Sequence, residues 1–183
     1  MDIGIQSPEI VEALLAKRHI LLQGPVEGLL QARITRLILY LNALDDRPIT
    51  LLIDSGGGET ETSLLICDAI EQSHAVVSGL VVADVFSAAF RILQSCHRRL
   101  AYPRARLQFH APATNGKRVD EDNWNKYIIR IHELHEEQLH VYAKRSKQSI
   151  RSLRKWAKEQ KFFTAAEALK LGFLDELVQP PKK

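Results

Sequence analysis

Short apolar runs alternate with helical patterns along the first hundred residues, and this alternation constrains the fold more than any other feature of the sequence. The runs 20–24, 49–54 and 76–82 are apolar enough to be interior strands. Between them, apolar residues recur at intervals of three and four, as they do on the buried face of a helix. The sequence therefore predicts an α/β protein whose parallel sheet is covered by helices and joined by right-handed crossovers.

Composition and charge exclude several classes of protein. The 183 residues include 25 Lys and Arg, 22 Asp and Glu, and only two cysteines, so one core can form without metals or disulfides. The basic residues are interleaved with acidic ones and lack aromatic platforms, so no nucleic-acid partner is expected. No apolar stretch approaches the roughly 20 residues of a membrane span, so no membrane partner is expected. Few cysteines and no basic-then-apolar leader predict a cytoplasmic protein.

The last third of the chain is dominated by one long helical pattern. Apolar residues keep helix-compatible spacing from about 120 to 144, which is too long for an ordinary surface helix of a small domain. The final residues, 179–183, are polar and contain two prolines. We expect a single domain over residues 1–178, followed by a flexible tail.

Three positions are candidates for chemistry. Gly56, Gly57 and Gly58 follow a buried strand, where their backbone N–H groups form either an anion cradle or only a tight strand-to-helix turn. Ser87 begins an apolar helix and is read either as a helix cap or as a hydroxyl held near the positive end of the helix. His110 ends a short strand, and a lone histidine at such a place is more often structural.

Histidines and cysteines elsewhere do not form a metal motif. His132 and His135 share a helix face, but His140 lies five residues further on, and no His-Glu-x-x-His pattern occurs. Cys67 and Cys96 lack a Cys-x-x-Cys spacing and are interpreted as small core or helix-end residues. We therefore expect no metal site, and nothing in the sequence calls for a cofactor.

The order of glycine loop, helix-start serine and strand-end histidine resembles the proteolytic subunit of the Clp proteases, the ClpP family. The likeness extends over nearly the whole chain. It implies an α/β, ClpP/crotonase-like fold of repeated β-β-α units with a mainly parallel sheet and a protruding handle helix at about 113–145. The matching segments are Leu15–Val26, Ile53-Asp54-Ser55-Gly56-Gly57-Gly58, Ser87, Arg106–Pro112 and Phe162–Ala168.

The resemblance assigns roles to five of these residues. It places Ser87 on the nucleophile and His110 on the general base. It places the oxyanion donors in the glycine loop and after the nucleophile, at Gly58 and Ala88, with Gly57 as a further loop member. It implies a serine endopeptidase that hydrolyses unfolded proteins as a homo-oligomer, in a heptameric ring that stacks in relatives, with an AAA+ ATPase unfoldase as partner.

The position of the family's triad aspartate reads as Gln160, with Glu159 beside it. A glutamine can hold the imidazole by a hydrogen bond but cannot stabilise its positive charge, whereas a shift of one residue would bring in the Glu159 carboxylate. Either residue is therefore a candidate for the third catalytic member. Phe86 stands where the family has a small residue, and we expect its ring to narrow the pocket.

Two alternatives remain open on the sequence. The missing aspartate and Phe86 favour a catalytically weak or inactive scaffold subunit that keeps the ClpP-like fold. A crotonase-type acyl-CoA enzyme is a further alternative, because that superfamily shares the fold and an oxyanion hole with two donors.

Overall fold

The computed structural model describes residues 7–112 and 121–179, and all structural statements refer to these residues. In the first half, helices and strands alternate one by one, which confirms the predicted α/β class. The elements are α1 (Pro8–Ala16), β1 (His19–Gln23), α2 (Gly28–Leu44), β2 (Ile49–Ser55), α3 (Thr60–Glu71), β3 (Val77–Phe86) and α4 (Ala88–Ser95).

The second half adds shorter strands and the long helix. Helix α5 has 26 residues and matches the long helical pattern of the sequence, whereas positions 113–120 of the expected handle lie outside the described residues. In the described ranges, no helix has the length and apolar character of a membrane span. The elements are β4 (Arg98–Ala101), β5 (Arg106–Gln108), α5 (Glu121–Ser146), α6 (Ile150–Lys158), β6 (Phe162–Thr164), α7 (Ala165–Lys170) and β7 (Glu176–Leu177).

The seven strands form one sheet in the order β1-β2-β3-β4-β7, with β5 paired to β3 and β6 paired to β5. Every pairing is parallel except that of β5 with β6. Helices connect most of the parallel neighbours, as crossovers in such a sheet require. This architecture confirms the fold expected from the resemblance.

The ten-residue strand β3 has two different neighbours along one edge. Its first part, Ser78–Val81, pairs with β4, and its last part, Asp84–Phe86, pairs with β5. Its other edge pairs with β2, whose register shifts between Ile53 and Ser55. The carboxyl ends of β2, β3 and β5 therefore lie side by side.

An aromatic cluster fixes helices α4 and α5 against the sheet. Phe90 of α4 is fully buried, and its ring lies 5.1 Å from the rings of both Phe109 and Tyr142. Phe109 stacks on Phe163 of β6 at 5.8 Å. Because Tyr142 belongs to α5, this cluster joins four separate parts of the chain.

The two cysteines are part of the same buried interior. Both are free thiols, and burial raises the pKa of Cys67 to about 12. A thiol with such a pKa stays protonated at neutral pH and is unreactive. This agrees with their interpretation as small buried residues.

Truncation of Phe90 tests the importance of the aromatic cluster. Phe90→Ala should lower the free energy of unfolding by about 3–5 kcal/mol, because it removes a fully buried ring and leaves a cavity. The exposed Phe162, which contacts a single aromatic neighbour, provides the control, and Phe162→Ala should lose about 1 kcal/mol. Denaturant unfolding at one fixed protein concentration measures both, and equal losses would contradict the prediction.

Candidate active site

Three strand ends converge on one cleft. The chain continues from β2 into the glycine loop, from β3 into Ser87, and from β5 into His110, all at the carboxyl edge of the sheet where α/β proteins usually bind ligands. The cleft has a volume of about 480 Å³, and residues of all three segments line it. The structure thus brings together Gly56–Gly58, Ser87, Ala88 and His110, which the sequence had singled out.

Ser87 occupies a strained turn between β3 and α4. Its backbone has φ 53° and ψ −121°, a conformation that side-chain-bearing residues rarely adopt. The N–H of Ser87 donates to the carbonyl of Gln108 at 2.9 Å, which fixes the turn to β5. Its hydroxyl makes no capping hydrogen bond to α4, so a simple helix cap does not explain the residue.

The glycine loop packs directly against this turn. Gly57 has φ +93°, and a Cβ there would lie 2.7 Å from the Cβ of Ser87 and 2.8 Å from the nitrogen of Ala88. The loop is held from the other side by Val26, whose N–H donates to the Gly57 carbonyl at 2.8 Å and whose carbonyl accepts from Glu59 at 2.9 Å. Only a glycine at position 57 permits this approach.

Two of the three predicted oxyanion donors, Ala88 and Gly58, stay candidates. Ala88 is the first residue of α4, where the helix itself offers no acceptor and its dipole is positive. Gly58 lines the same cleft. In contrast, the N–H of Gly57 already donates to Ser55 Oγ at 3.1 Å, so this geometry does not support Gly57 as an oxyanion donor.

His110 is held by the backbone. Its Nδ1 lies 2.6 Å from the carbonyl oxygen of Ala111, and because a carbonyl only accepts, Nδ1 carries the proton. The lone pair then lies on Nε2, as a general base requires. Within the described residues, Ser87 and the imidazole line the same cleft without a hydrogen bond between them.

The histidine segment rests on the C-terminal end of α6. The N–H of Ala111 donates to the carbonyl of Ala157 in the last turn of this helix at 3.2 Å. The negative end of the helix dipole therefore lies next to the histidine segment. Partial negative charge at a helix C-terminus stabilises a nearby cation by about 0.3–1 kcal/mol.

Neither candidate for the third catalytic member contacts His110 through its side chain. The carbonyl of Gln160 accepts from Gln108 Nε2 at 2.8 Å, which ties this segment to β5, but the Gln160 side chain is exposed. The exposed Glu159 carboxylate lies 3.9 Å from Lys155 Nζ. Their assignment stays a prediction, and the Ala111 carbonyl occupies the position at Nδ1 where the carboxylate was expected.

Phe86 does not narrow the cleft, and that expectation is wrong. Its ring lies edge-on to Phe162 at 5.4 Å, with the Arg106 guanidinium 5.7 Å from its centre. The antiparallel strand β6 brings Phe162 into this position beside β5. Sequence alone could not reveal a partner 76 residues away.

Among the polar residues that line the cleft and that sequence analysis did not place there are Arg91, His135 and Gln138. Arg91 lies one turn after Ser87 in an otherwise uncharged helix, and this isolated charge was the signal that sequence offered. His135 is buried, whereas His132 and His140 are exposed. In the described parts of the chain, no group of three His, Cys, Asp or Glu side chains could hold a metal ion.

The cleft thus combines a serine at a strained strand-to-helix turn, a histidine and a glycine loop. A sequence model of the Clp protease family matches residues 4–181. The ATP-dependent Clp protease proteolytic subunit 1 of Rhodococcus jostii (strain RHA1) is 28% identical over 179 residues, which cover 96% of this chain and 81% of that protein. The chain belongs to the Clp protease family, as its sequence resemblance predicted.

The contact between Gly57 and Ser87 generates a direct test. Gly57→Ala should slow the labelling of Ser87 by a fluorophosphonate at least about tenfold, because the new methyl group displaces the serine and a 1 Å misplacement can cost about 10²-fold. Gly56→Ala is the matched control, since a Cβ at position 56 meets no atom within 4 Å and the backbone there is unstrained. Mass spectrometry of the labelled protein measures both rates, and equal slowing of the two variants would contradict the prediction.

Proposed function

We propose that this chain is a single-domain subunit, spanning residues 1–178, of a ring-forming Clp-type serine endopeptidase that hydrolyses peptide bonds of unfolded proteins. The observation that carries the proposal is the position of Ser87. Its uncapped hydroxyl lies at a strained turn, beside the first N–H of α4 and in the same cleft as His110. Backbone strain costs free energy and is concentrated at functional sites, so it favours a functional role for this serine over a purely structural one.

The chemistry proposed is acyl transfer. Nε2 of His110 accepts the Ser87 proton as Oγ attacks the peptide carbonyl, and the N–H groups of Gly58 and Ala88 receive the oxyanion. The same histidine then protonates the departing amine. Water subsequently hydrolyses the acyl-serine, with His110 again acting as the base.

Without a carboxylate at Nδ1, the positively charged imidazole of His110 is stabilised less than in a complete Ser-His-Asp triad. Replacing the triad aspartate by an amide lowers kcat by about 10⁴-fold in a well-studied serine protease, largely because the imidazole then adopts the wrong tautomer. Here the Ala111 carbonyl selects the right tautomer, and the end of α6 adds partial negative charge. We therefore propose a slow peptidase that works as a Ser-His dyad in the described state.

The proposal also includes the substrate, the partner and the assembly state of the protein. The cleft has room for a few residues of an extended peptide, which favours unfolded chains as substrate and an AAA+ ATPase unfoldase as partner. We propose a cytoplasmic homo-oligomer of heptameric rings. Large exposed apolar side chains on α2 and α3 support assembly: Leu29, Leu39, Tyr40, Leu44 and Leu65.

Hydrolysis of a fluorogenic peptide by matched variants tests the proposal. Ser87→Ala and His110→Ala should each lower kcat at least about 10³-fold, because nucleophile and base act as one unit. Glu159→Gln and Gln160→Asn should stay within about twofold of the parent, since neither side chain touches the histidine. A loss of about tenfold or more in either would instead make that residue the third member.

Intact rings that are inactive and resist the fluorophosphonate would favour the scaffold alternative. Native mass spectrometry measures the assembly state of each variant, so that loss of activity is not confused with loss of the ring. Peptide hydrolysis by Ser87→Ala at the parent rate would contradict the proposal.

A further inference from the structure

A buried positive charge lies beside the candidate nucleophile. Arg91 is only 6% exposed; it is the one charged residue of helix α4, and it lines the cleft. The backbone N–H of Arg91 donates to the carbonyl of Ser87 at 3.3 Å, so Arg91 lies one helical turn after the serine. Arginine is rarely this buried without a paired anion.

The guanidinium is only partly satisfied. Its Nη2 donates to the Leu134 carbonyl at 3.3 Å and to Gln138 Oε1 at 2.7 Å, both on α5. Its Nη1 is buried and has no hydrogen-bond partner. Among the side chains that the structure describes, no carboxylate forms an ion pair with Arg91. A buried cation in this condition is unfavourable unless an anion comes to it.

The groups around Arg91 suit a carboxylate. His135 and Gln138 line the same side of the cleft. Burial lowers the pKa of His135 and the Arg91 charge lowers it further, although Glu136 acts in the opposite direction. A neutral imidazole offers one N–H donor, and a guanidinium can bind a carboxylate through two parallel hydrogen bonds.

The cleft also contains acidic residues, which repel a carboxylate. They lie on different elements from Arg91, and their repulsion is weaker than its attraction. Glu27 precedes α2, and Glu59 and Glu61 are at the start of α3, whereas Arg91 and His135 are carried by α4 and α5. Glu27 and Glu61 are exposed, so water and salt screen their charges. The Arg91 charge is buried and screened less. A carboxylate that enters deeply therefore meets attraction from Arg91.

We propose that Arg91 binds a carboxylate of the peptide substrate in the cleft beside Ser87, and that this contact sets cleavage specificity. The carboxylate belongs either to an Asp or Glu side chain next to the scissile bond or to the free C-terminus of the peptide. The proposal rests on the proposed peptidase function and adds to it a class of preferred substrate. His135 and Gln138 act as positioning residues around the same anion.

Four peptides separate the two sources of carboxylate. They share one sequence, carry Glu or Gln before the scissile bond, and end in a free acid or an amide; mass spectrometry confirms the cut. If Arg91 selects the side-chain carboxylate, then of the two peptides that end in an amide the Glu peptide should have a kcat/KM about tenfold higher than the Gln peptide. This factor corresponds to one hydrogen bond to a charged group. If Arg91 selects the C-terminal carboxylate, then of the two Gln peptides the one that ends in a free acid should have the kcat/KM that is about tenfold higher. Four equal values would overturn the proposal.

Variants of Arg91 identify the group responsible. In Arg91→Met, the ratio of kcat/KM for the favoured and disfavoured peptides should fall to within about twofold of one. The variant should fold, because an apolar side chain of similar length often replaces a buried charge without loss of stability. Arg91→Lys should keep part of the preference. Arg130→Met removes an exposed charge of α5 outside the cleft and should leave the preference unchanged. A preference that persists in Arg91→Met would overturn the proposal.

A binding experiment separates this inference from the peptidase function. In full-length Ser87→Ala, fluorescence anisotropy should show the favoured peptide binding about tenfold more tightly than the disfavoured one, and Ser87→Ala/Arg91→Met should bind both equally. Discrimination without any cleavage by the parent protein would contradict the peptidase proposal and support the carboxylate site. Cleavage with equal rates and equal binding would support the peptidase and overturn the carboxylate site.

Discussion

The parallel pairing of β3 with β2 on one edge and with β4 and β5 on the other is the constraint on which the rest of the structure depends. It places three strand ends side by side at one edge of the sheet. The glycine loop, Ser87 and His110 come together because each follows one of these strands. The chemistry of the cleft is thus a consequence of backbone pairing between segments far apart in sequence.

Much of the fold followed from local pattern. Apolar runs and helical periodicity located β1, β2, β3 and the helices between them, and the glycine loop and Ser87 followed from their positions at the ends of strands. The contacts that sequence could not supply all join distant residues. Examples are Ala111 with Ala157 and Phe86 with Phe162. Such pairs depend on the packing of α6 and β6 against β5, which no local period encodes.

In the proposed mechanism, the surroundings of His110 take over the work of a missing side chain. Orientation of the imidazole and stabilisation of its charge are two separate tasks, and a single carboxylate usually performs both. In the proposed dyad, the Ala111 carbonyl would provide the first, and the C-terminal end of α6 would provide part of the second. Neither contribution depends on the identity of a side chain, so neither is visible in a motif.

The packing of the glycine loop also has a consequence for the way this sequence can diverge. A methyl group at position 57 or 58 would collide with backbone atoms, whereas one at position 56 would point into open space. The first position of the loop can therefore accept a side chain. The next two positions are closed to larger residues, because the hydrogen atom that glycine carries in place of a side chain lets Gly57 lie against Ser87 and Gly58 against Val26.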